Sequence, residues 1–297
     1  MRAIVQNPNN ESVRQSARHT LYVEGAGQNA LDPLVLAALL GSKIQIKAIG
    51  PAYHVRSVAE ALFRHHPDSC FLMDRDHHTD DAVESTWRNF PDPNQSNLLI
   101  WRKREIENYF LDPDYLRKSS YYKEKTGEPE RSILHHANER LYLDAVNHVI
   151  VTIREEQKRN WIELFNNPGE FRTEANARQR LMEASAFAAR IGNVTASLAS
   201  NRLQSLLDET IKDFSGGSIP LQFGKGCWRD RLRGKSILAS VVPACFKVEG
   251  RQKQTLQGKE QREEVVKDLL RRPLAEQPAD FQTLHGLIMA RLELPPL

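Results

Sequence analysis

Short apolar bursts alternate with helical stripes through the first hundred residues. Thr20-Leu21-Tyr22-Val23-Glu24 reads as a strand closed by Gly25. Leu34, Val35, Ala38 and Leu39 mark one face of a helix opened by Asp32-Pro33, read as an N-cap followed by a proline at the first helical position. Ile44, Ile46 and Ala48 alternate as a second strand before Gly50-Pro51 breaks the run, and Val55, Val58, Ala59, Leu62 and Phe63 form the next helical stripe. Cys70 to Met73 is a third strand, Asp80 to Arg88 a helix, and Asn97 to Trp101 a fourth strand. This rhythm predicts an α/β fold with a central, mainly parallel sheet flanked by helices. The strand runs are apolar throughout because both faces of such a sheet are buried. Acidic residues that end these strands then lie at its carboxyl edge, where open α/β sheets bind ligands.

Beyond residue 115 the rhythm becomes helical. Ile133, Leu134, Ala137, Leu141, Ala145, Val149 and Ile153 share a long face, continued less regularly by Trp161, Leu164 and Phe165 up to Pro168-Gly169. Residues 174–191 and 194–214 predict two more helices, the second ended by Gly216-Gly217, and helices are also expected near 259–271 and 279–292. Between them lies a short, basic, α/β-like stretch. The division expected is a lead-in over 1–17, a sheet-bearing core over 18–115, a helix-rich insertion or docking region over 116–215, and a basic C-terminal segment over 216–297 that completes or extends the core.

Composition narrows the class without naming it. The 297 residues are 40% hydrophobic and 27% charged, which is globular arithmetic. Three cysteines, Cys70, Cys227 and Cys245, are too few for a disulfide framework or a Cys-rich zinc site, and no run approaches a membrane span or the apolar core of a secretory signal. A reduced, cytoplasmic setting without membrane contact is the expectation. Net charge is only +3, yet residues 1–116 carry −3 and residues 117–297 carry +6. Within 225–262 there are ten Lys or Arg against three acids, among them Lys225, Arg229, Arg231, Arg233 and Lys235. Such a surface suits phosphates, and Trp228 could stack an exposed base or instead anchor the segment to the core.

Three acidic motifs stand at the predicted sheet edge: Leu21-Tyr22-Val23-Glu24-Gly25, Met73-Asp74-Arg75-Asp76-His77-His78, and Arg104-Glu105-Ile106-Glu107-Asn108-Tyr109. In an extended chain Asp74 and Asp76 project to the same side. Carboxylates gathered there repel one another unless protons or a cation compensate, and Mg²⁺ accepts carboxylate oxygens, keeps waters and engages phosphate. Each motif alone also reads as an ordinary strand-end turn.

These residues resemble the Toprim fold, the metal-binding module of topoisomerases, primases, overcoming-lysogenization-defect nucleases and related bacterial defence enzymes. The marks are Glu24-Gly25 after a strand and Asp74-x-Asp76 about fifty residues later. The segment Glu107-Asn108-Tyr109-Phe110-Leu111 is similar to a Toprim-like branch associated with defence ATPases, and the overall length with this arrangement resembles the effector nucleases of the phage anti-restriction-induced system (PARIS). The resemblance covers roughly residues 18–115, with support from Trp228 and Gly234-Lys235. It implies Glu24, Asp74 and Asp76 as ligands of Mg²⁺ or Mn²⁺, with Glu24 also in acid–base chemistry. Glu107 would be a supplementary active-site acid, and Lys235 would meet the scissile phosphate. It further implies a bacterial nuclease that cleaves nucleic acid, RNA such as tRNA before DNA, as a toxic effector controlled by an ABC-type ATPase partner and dimeric when active. Related nucleases place another acid four residues after the first glutamate, where this chain has Gln28; Asp32 is the next acid.

His77, Arg229, Trp228, Arg231 and Arg233 complete the candidate substrate contacts. His135-His136 are expected to serve surface or local packing roles, since adjacent residues on a helix do not share a face. Gly234-Lys235-Ser236 is not a P-loop, because position 229 is arginine where the pattern needs glycine. Two rivals to the ribonuclease reading stay open: a DNA endonuclease, and a catalytically weak Toprim-like module that binds nucleic acid or the ATPase.

Overall fold

The computed structural model describes residues 20–25, 31–41, 44–66, 69–123, 127–159, 167–170, 172–183, 185–250 and 254–293. The expected lead-in over 1–17, Gln28, and the apolar positions Trp161, Leu164 and Phe165 lie outside them. Among the described residues, four strands form one parallel sheet: β1 (Thr20–Val23), β2 (Gln45–Ala48), β3 (Cys70–Met73) and β4 (Leu98–Ile100), in the order β2-β1-β3-β4. Leu21 sits beside Ile46 on one flank and Cys70 on the other, and Phe71 beside Leu98. The connections are α1 (Asp32–Leu40), α2 (Ala52–Phe63) and α3 (Asp80–Asn89). The central strands β1 and β3 are buried at every position, whereas the edge strand β2 is partly exposed, which is why its apolar pattern is the weakest of the four.

The chain divides into two compact units, Met1–Arg140 with Trp228–Leu297, and Leu141–Cys227. The first holds the sheet. After β4 come a 3₁₀ turn (Ile106–Phe110) and α4 (Pro113–Arg117), followed by the start of α5 (Pro129–Arg159). The same unit regains the chain at α9 (Trp228–Arg231), α10 (Gly234–Cys245), α11 (Gly258–Leu270) and α12 (Ala279–Arg291). The α/β-like reading of the basic stretch is corrected here: it is helical, with isolated bridges such as Tyr122 to Phe246 in place of strands. Its 12-residue α10 is apolar on the face carrying Ile237, Leu238, Val241 and Val242, which suits a packed helix.

An aromatic cluster ties this returning segment to the sheet. Phe281 of α12 packs 4.8 Å from the Tyr109 ring and 5.7 Å from Trp101, the residue after β4. Each such pair adds about 0.5–1.5 kcal/mol beyond the area it buries. The Tyr109 hydroxyl donates to Asp280 Oδ2 at 2.8 Å, so the ring's polar end is matched as well. Trp228 is 1% exposed and belongs to the core; it offers no face for a base to stack on, which corrects its reading as a substrate contact.

The second unit is helical among its described residues: the rest of α5, then α6 (Glu174–Glu183), α7 (Ser185–Ser197) and α8 (Ser200–Ser215). The helix expected over 174–191 is helical at its described residues on both sides of position 184, and Gly216 closes α8 in the left-handed conformation at φ 58°. The α5 face foreseen from its spacing is buried at Ile133, Ala137, Leu141, Ala145, Val149 and Ile153. Among the described residues no helix is long and apolar enough to cross a membrane.

Candidate active site

The strand order places a topological switch point between β1 and β3, since the connections from these two strands leave in opposite directions. Glu24 follows β1 and Asp74 follows β3, so the two carboxylates flank that crevice. Local backbone geometry turns them into it. The Glu24 N–H donates to Leu72 O at 3.2 Å, extending the ladder by one residue. Gly25 then leaves the sheet at φ 125° and exchanges two hydrogen bonds with Gly50 at φ 119°, of 2.9 and 3.1 Å. Side chains rarely adopt such φ values, which accounts for glycine directly after the acid. The Glu24 carboxylate accepts the Asp74 N–H at 3.2 Å and also the backbone N–H of Ala52, the first residue of α2.

The acids crowd one another. Burial, chiefly, and then the charge of Asp76 push the Glu24 carboxyl up to about 7, against the two amides that favour its ionised form. Asp74 is pushed well above the usual carboxylate range by burial and by Asp32, Glu24, Glu105 and Glu107. Its Oδ1 is buried with no hydrogen-bond partner. Glu107, 4% exposed, is raised by burial and by Glu105, while Lys235 and Arg262 pull it the other way. All four acids expected at the site are thus brought together: Glu24, Asp74, Asp76 and Glu107.

Asp76 does not project as an extended strand would place it. The chain turns after Asp74, and Asp76 adopts φ 46°, exposed, with its N–H donated to Arg104 O at 3.3 Å. A non-glycine residue held there is strained by about 1–3 kcal/mol, and such strain gathers at functional sites. His77 is half-buried in the same turn.

Two site acids were not foreseen. Asp32 was read as the cap of α1, but Leu31 holds that position and no side chain caps the helix. The Asp32 carboxyl instead joins the cluster, pushed up to about 7 by burial and by Glu107, with Glu24 adding to the effect. Glu105 is the second. Its Oε2 accepts the Lys235 N–H at 2.7 Å, so it caps α10 from 130 residues away, and its Oε1 lies 3.4 Å from Arg233 Nε. Glu105 stands inside the third acidic motif without a role read from it, and Asp32, beyond its reading as a cap, appears in the sequence only as the next acid after Glu24.

Asn108 explains why the basic segment reaches the site. Its Nδ2 donates to Arg229 O at 2.7 Å and to Leu232 O at 2.9 Å, while its Oδ1 accepts the Glu105 N–H at 3.0 Å. A side chain on Gly234 would meet that Oδ1 at 2.3 Å, so glycine there permits the approach. The segment Glu107-Asn108-Tyr109-Phe110 therefore divides its work: an acid toward the cluster, an amide bolt to the returning chain, and two core aromatics.

The bolt delivers Lys235 close enough to act on the Glu107 charge. The other basic candidates are placed differently. Arg231 pairs with Asp80 at 2.8 Å, an acid that Arg75 also holds at 2.6 Å, and Arg229 lies 3.5 Å from Asp112. Arg233 is exposed beside Glu105. A cleft of about 470 Å³, lined by Lys103, Tyr109, Asp112, Arg229 and Asp280, contains none of the clustered acids.

The donor set of the cluster is all oxygen, which suits a hard cation such as Mg²⁺ or Mn²⁺. Asp74, with its partnerless oxygen, and Glu24, Asp32, Asp76 and Glu107 around it, are the residues that fit one. The cluster is open: among the described residues the three-donor set within 4.8 Å is His135, His136 and Glu139, on α5. That set offers a place for a divalent metal in general. Openness is compatible with Mg²⁺, which takes one or two carboxylates and fills the remaining positions with water.

Compared with known proteins, the chain matches no protein-family model, no curated protein and no solved structure.

Proposed function

We propose that this chain is a Mg²⁺-dependent nucleic-acid phosphodiesterase of Toprim type. The observation that carries the reading is the partnerless, buried Asp74 carboxylate among Glu24, Asp32 and Glu107 at the sheet's switch point. Holding so many acids together costs stability in the absence of a cation, and an arrangement kept at that cost is a functional-site candidate.

Asp74, Asp76 and Asp32 would hold Mg²⁺, with Mn²⁺ as a substitute; bound there, the ion supplies charge neutralisation on a phosphate oxygen and a more acidic water. Glu24, which accepts the Asp74 N–H and so stands beside the ligands, exchanges a proton with the attacking water or the leaving oxygen. Lys235 meets a non-bridging phosphate oxygen, and Glu107 holds Lys235 toward the cluster. Arg233, exposed and 3.4 Å from Glu105, is the cation we assign to the flanking phosphate. His77 and Arg231 border the same turn through residues 76–80 and line the approach.

We take RNA, tRNA in particular, as the substrate, and an ABC-type ATPase as the controlling partner in anti-phage defence. Both come from the family resemblance, as does an active homodimer. Sizing the separately expressed chain should give a dimer, and co-expression with the ATPase a larger complex.

The test is a cleavage assay with a tRNA pool and duplex DNA, in Mg²⁺ and in chelator. Metal-dependent RNA cleavage lost in Glu24→Gln and Asp74→Asn supports the proposal. Cleavage of DNA alone overturns the substrate, and cleavage that persists in chelator overturns the mechanism. Binding without cleavage favours the catalytically weak module, which the pairing of Arg229 and Arg231 with acids does not itself require.

A further inference from the structure

Away from the acid cluster, two adjacent histidines and a glutamate converge on α5. Neighbours on a helix point about 100° apart, which argues against His135 and His136 acting together. Glu139 removes the obstacle. It lies four residues beyond His135 and three beyond His136, the two spacings that set side chains against each other on a helix. Its Oε1 is 3.4 Å from His135 Nε2 and its Oε2 is 2.9 Å from His136 Nδ1. The rings meet edge to face with centroids 4.9 Å apart. Among the described residues, this carboxylate has no Lys or Arg partner and faces the two imidazoles alone.

We propose that His135, His136 and Glu139 form a second metal site, selective for imidazole-seeking divalent ions of the Zn²⁺ class. Two imidazole nitrogens and one carboxylate oxygen are a donor set of Zn²⁺, Co²⁺ and Ni²⁺, with bonds of about 2.0–2.2 Å. Tetrahedral donors at that bond length stand roughly 3.4 Å apart; His135 lies 3.4 Å from one Glu139 oxygen, His136 lies 2.9 Å from the other, and one donor atom from each residue lies within 4.8 Å of the rest. The metal replaces two carboxylate–imidazole contacts with three ligand bonds on a backbone that the helix already holds. The side chains of His135 and Glu139 are 65% and 58% exposed, so water can fill the remaining positions and the site stays reachable. Mg²⁺ prefers six oxygens and is not a competitor here. Ligand hardness thus assigns one class of metal to each site. The inference is independent of the phosphodiesterase reading.

Co²⁺ binding to the full chain, followed by its visible d–d absorption in saturating Mg²⁺, tests the site. The wild type should bind one Co²⁺ that Zn²⁺ displaces, and Zn²⁺ should raise its thermal midpoint, since an ion bound only by the folded state stabilises it. Each of His135→Ala, His136→Ala and Glu139→Ala should weaken binding by about tenfold or more, ~1.4 kcal/mol. Because the three residues sit on a helix surface, circular dichroism should show the variants folded, and His136→Gln provides a replacement of similar size. Absence of Co²⁺ binding by the wild type would overturn the proposal. An unchanged spectrum in the folded His135→Ala/His136→Ala double variant would do the same.

Discussion

Glu24→Gln separates the electrostatic cost of the site from its chemistry. In the folded chain the Glu24 carboxyl titrates at about 7 instead of the ordinary 4.5, mainly because it is buried. A raised carboxyl is protonated in the folded state while the unfolded chain is already ionised. Its contribution is therefore fully present below pH 4.5 and is lost as the pH rises to 7. The shift of about 2.5 units corresponds to ~3 kcal/mol at 1.36 kcal/mol per unit. Glu24 is half-buried, and solvent screening roughly halves this, to ~1.5 kcal/mol. Glutamine mimics the neutral acid at every pH. Metal-free Glu24→Gln should thus match the wild type near pH 4.5 and exceed its stability by ~1.5 kcal/mol at pH 8, a shift of about 3–6 °C at 2–4 °C per kcal/mol. Thermal unfolding in chelator across this pH range measures the difference. Mg²⁺ should narrow it by stabilising the wild type more than the variant. The same variant should have lost cleavage, so gain of stability and loss of function come from one carboxylate. Equal destabilisation of Glu24→Gln at both ends of the pH range would refute the argument.

Asp74→Asn should weaken Mg²⁺ binding by calorimetry by about tenfold or more, ~1.4 kcal/mol, with Asp76→Asn acting in the same direction. Asp32→Asn tests the acid the sequence hid. It should raise metal-free stability above pH 7, where the native carboxylate is forced to ionise, while reducing Mg²⁺ affinity; an unaltered affinity would remove Asp32 from the ligand set. Lys235→Ala should reduce the slope of log binding constant against log salt by about one for a nucleic-acid ligand, because one phosphate contact is lost. Lys235→Arg should keep it. Gly234→Ala should destabilise the protein by ~1–3 kcal/mol, since the added methyl meets Asn108 Oδ1 at 2.3 Å and its backbone N at 2.7 Å. Chemical denaturation checks it.

Hydrophobic pattern alone marked the strands, while their order β2-β1-β3-β4 came only from the fold. Leu21 to Val23 and Cys70 to Met73 are buried on both faces, so every position had to be apolar, and a run of that kind is visible without neighbours. The acids at their ends, Glu24 and Asp74, were legible for the same reason: a parallel strand's carboxyl end is where its signal stops. Asp32 was not, because Asp-Pro is a local cap signal, whereas the direction of its carboxyl depends on how α1 packs. Tertiary structure also decided which cations are available. Trp228, Arg229, Arg231 and Lys235 look alike as a basic, aromatic stretch, yet one is core, two are paired with Asp112 and Asp80, and one faces Glu107. Those partners lie more than a hundred residues away in sequence, and the Asn108 side chain that brings them near forms its bonds only after the chain has returned. Spacing records what a residue's own element demands; charge compensation and orientation are properties of the packed whole.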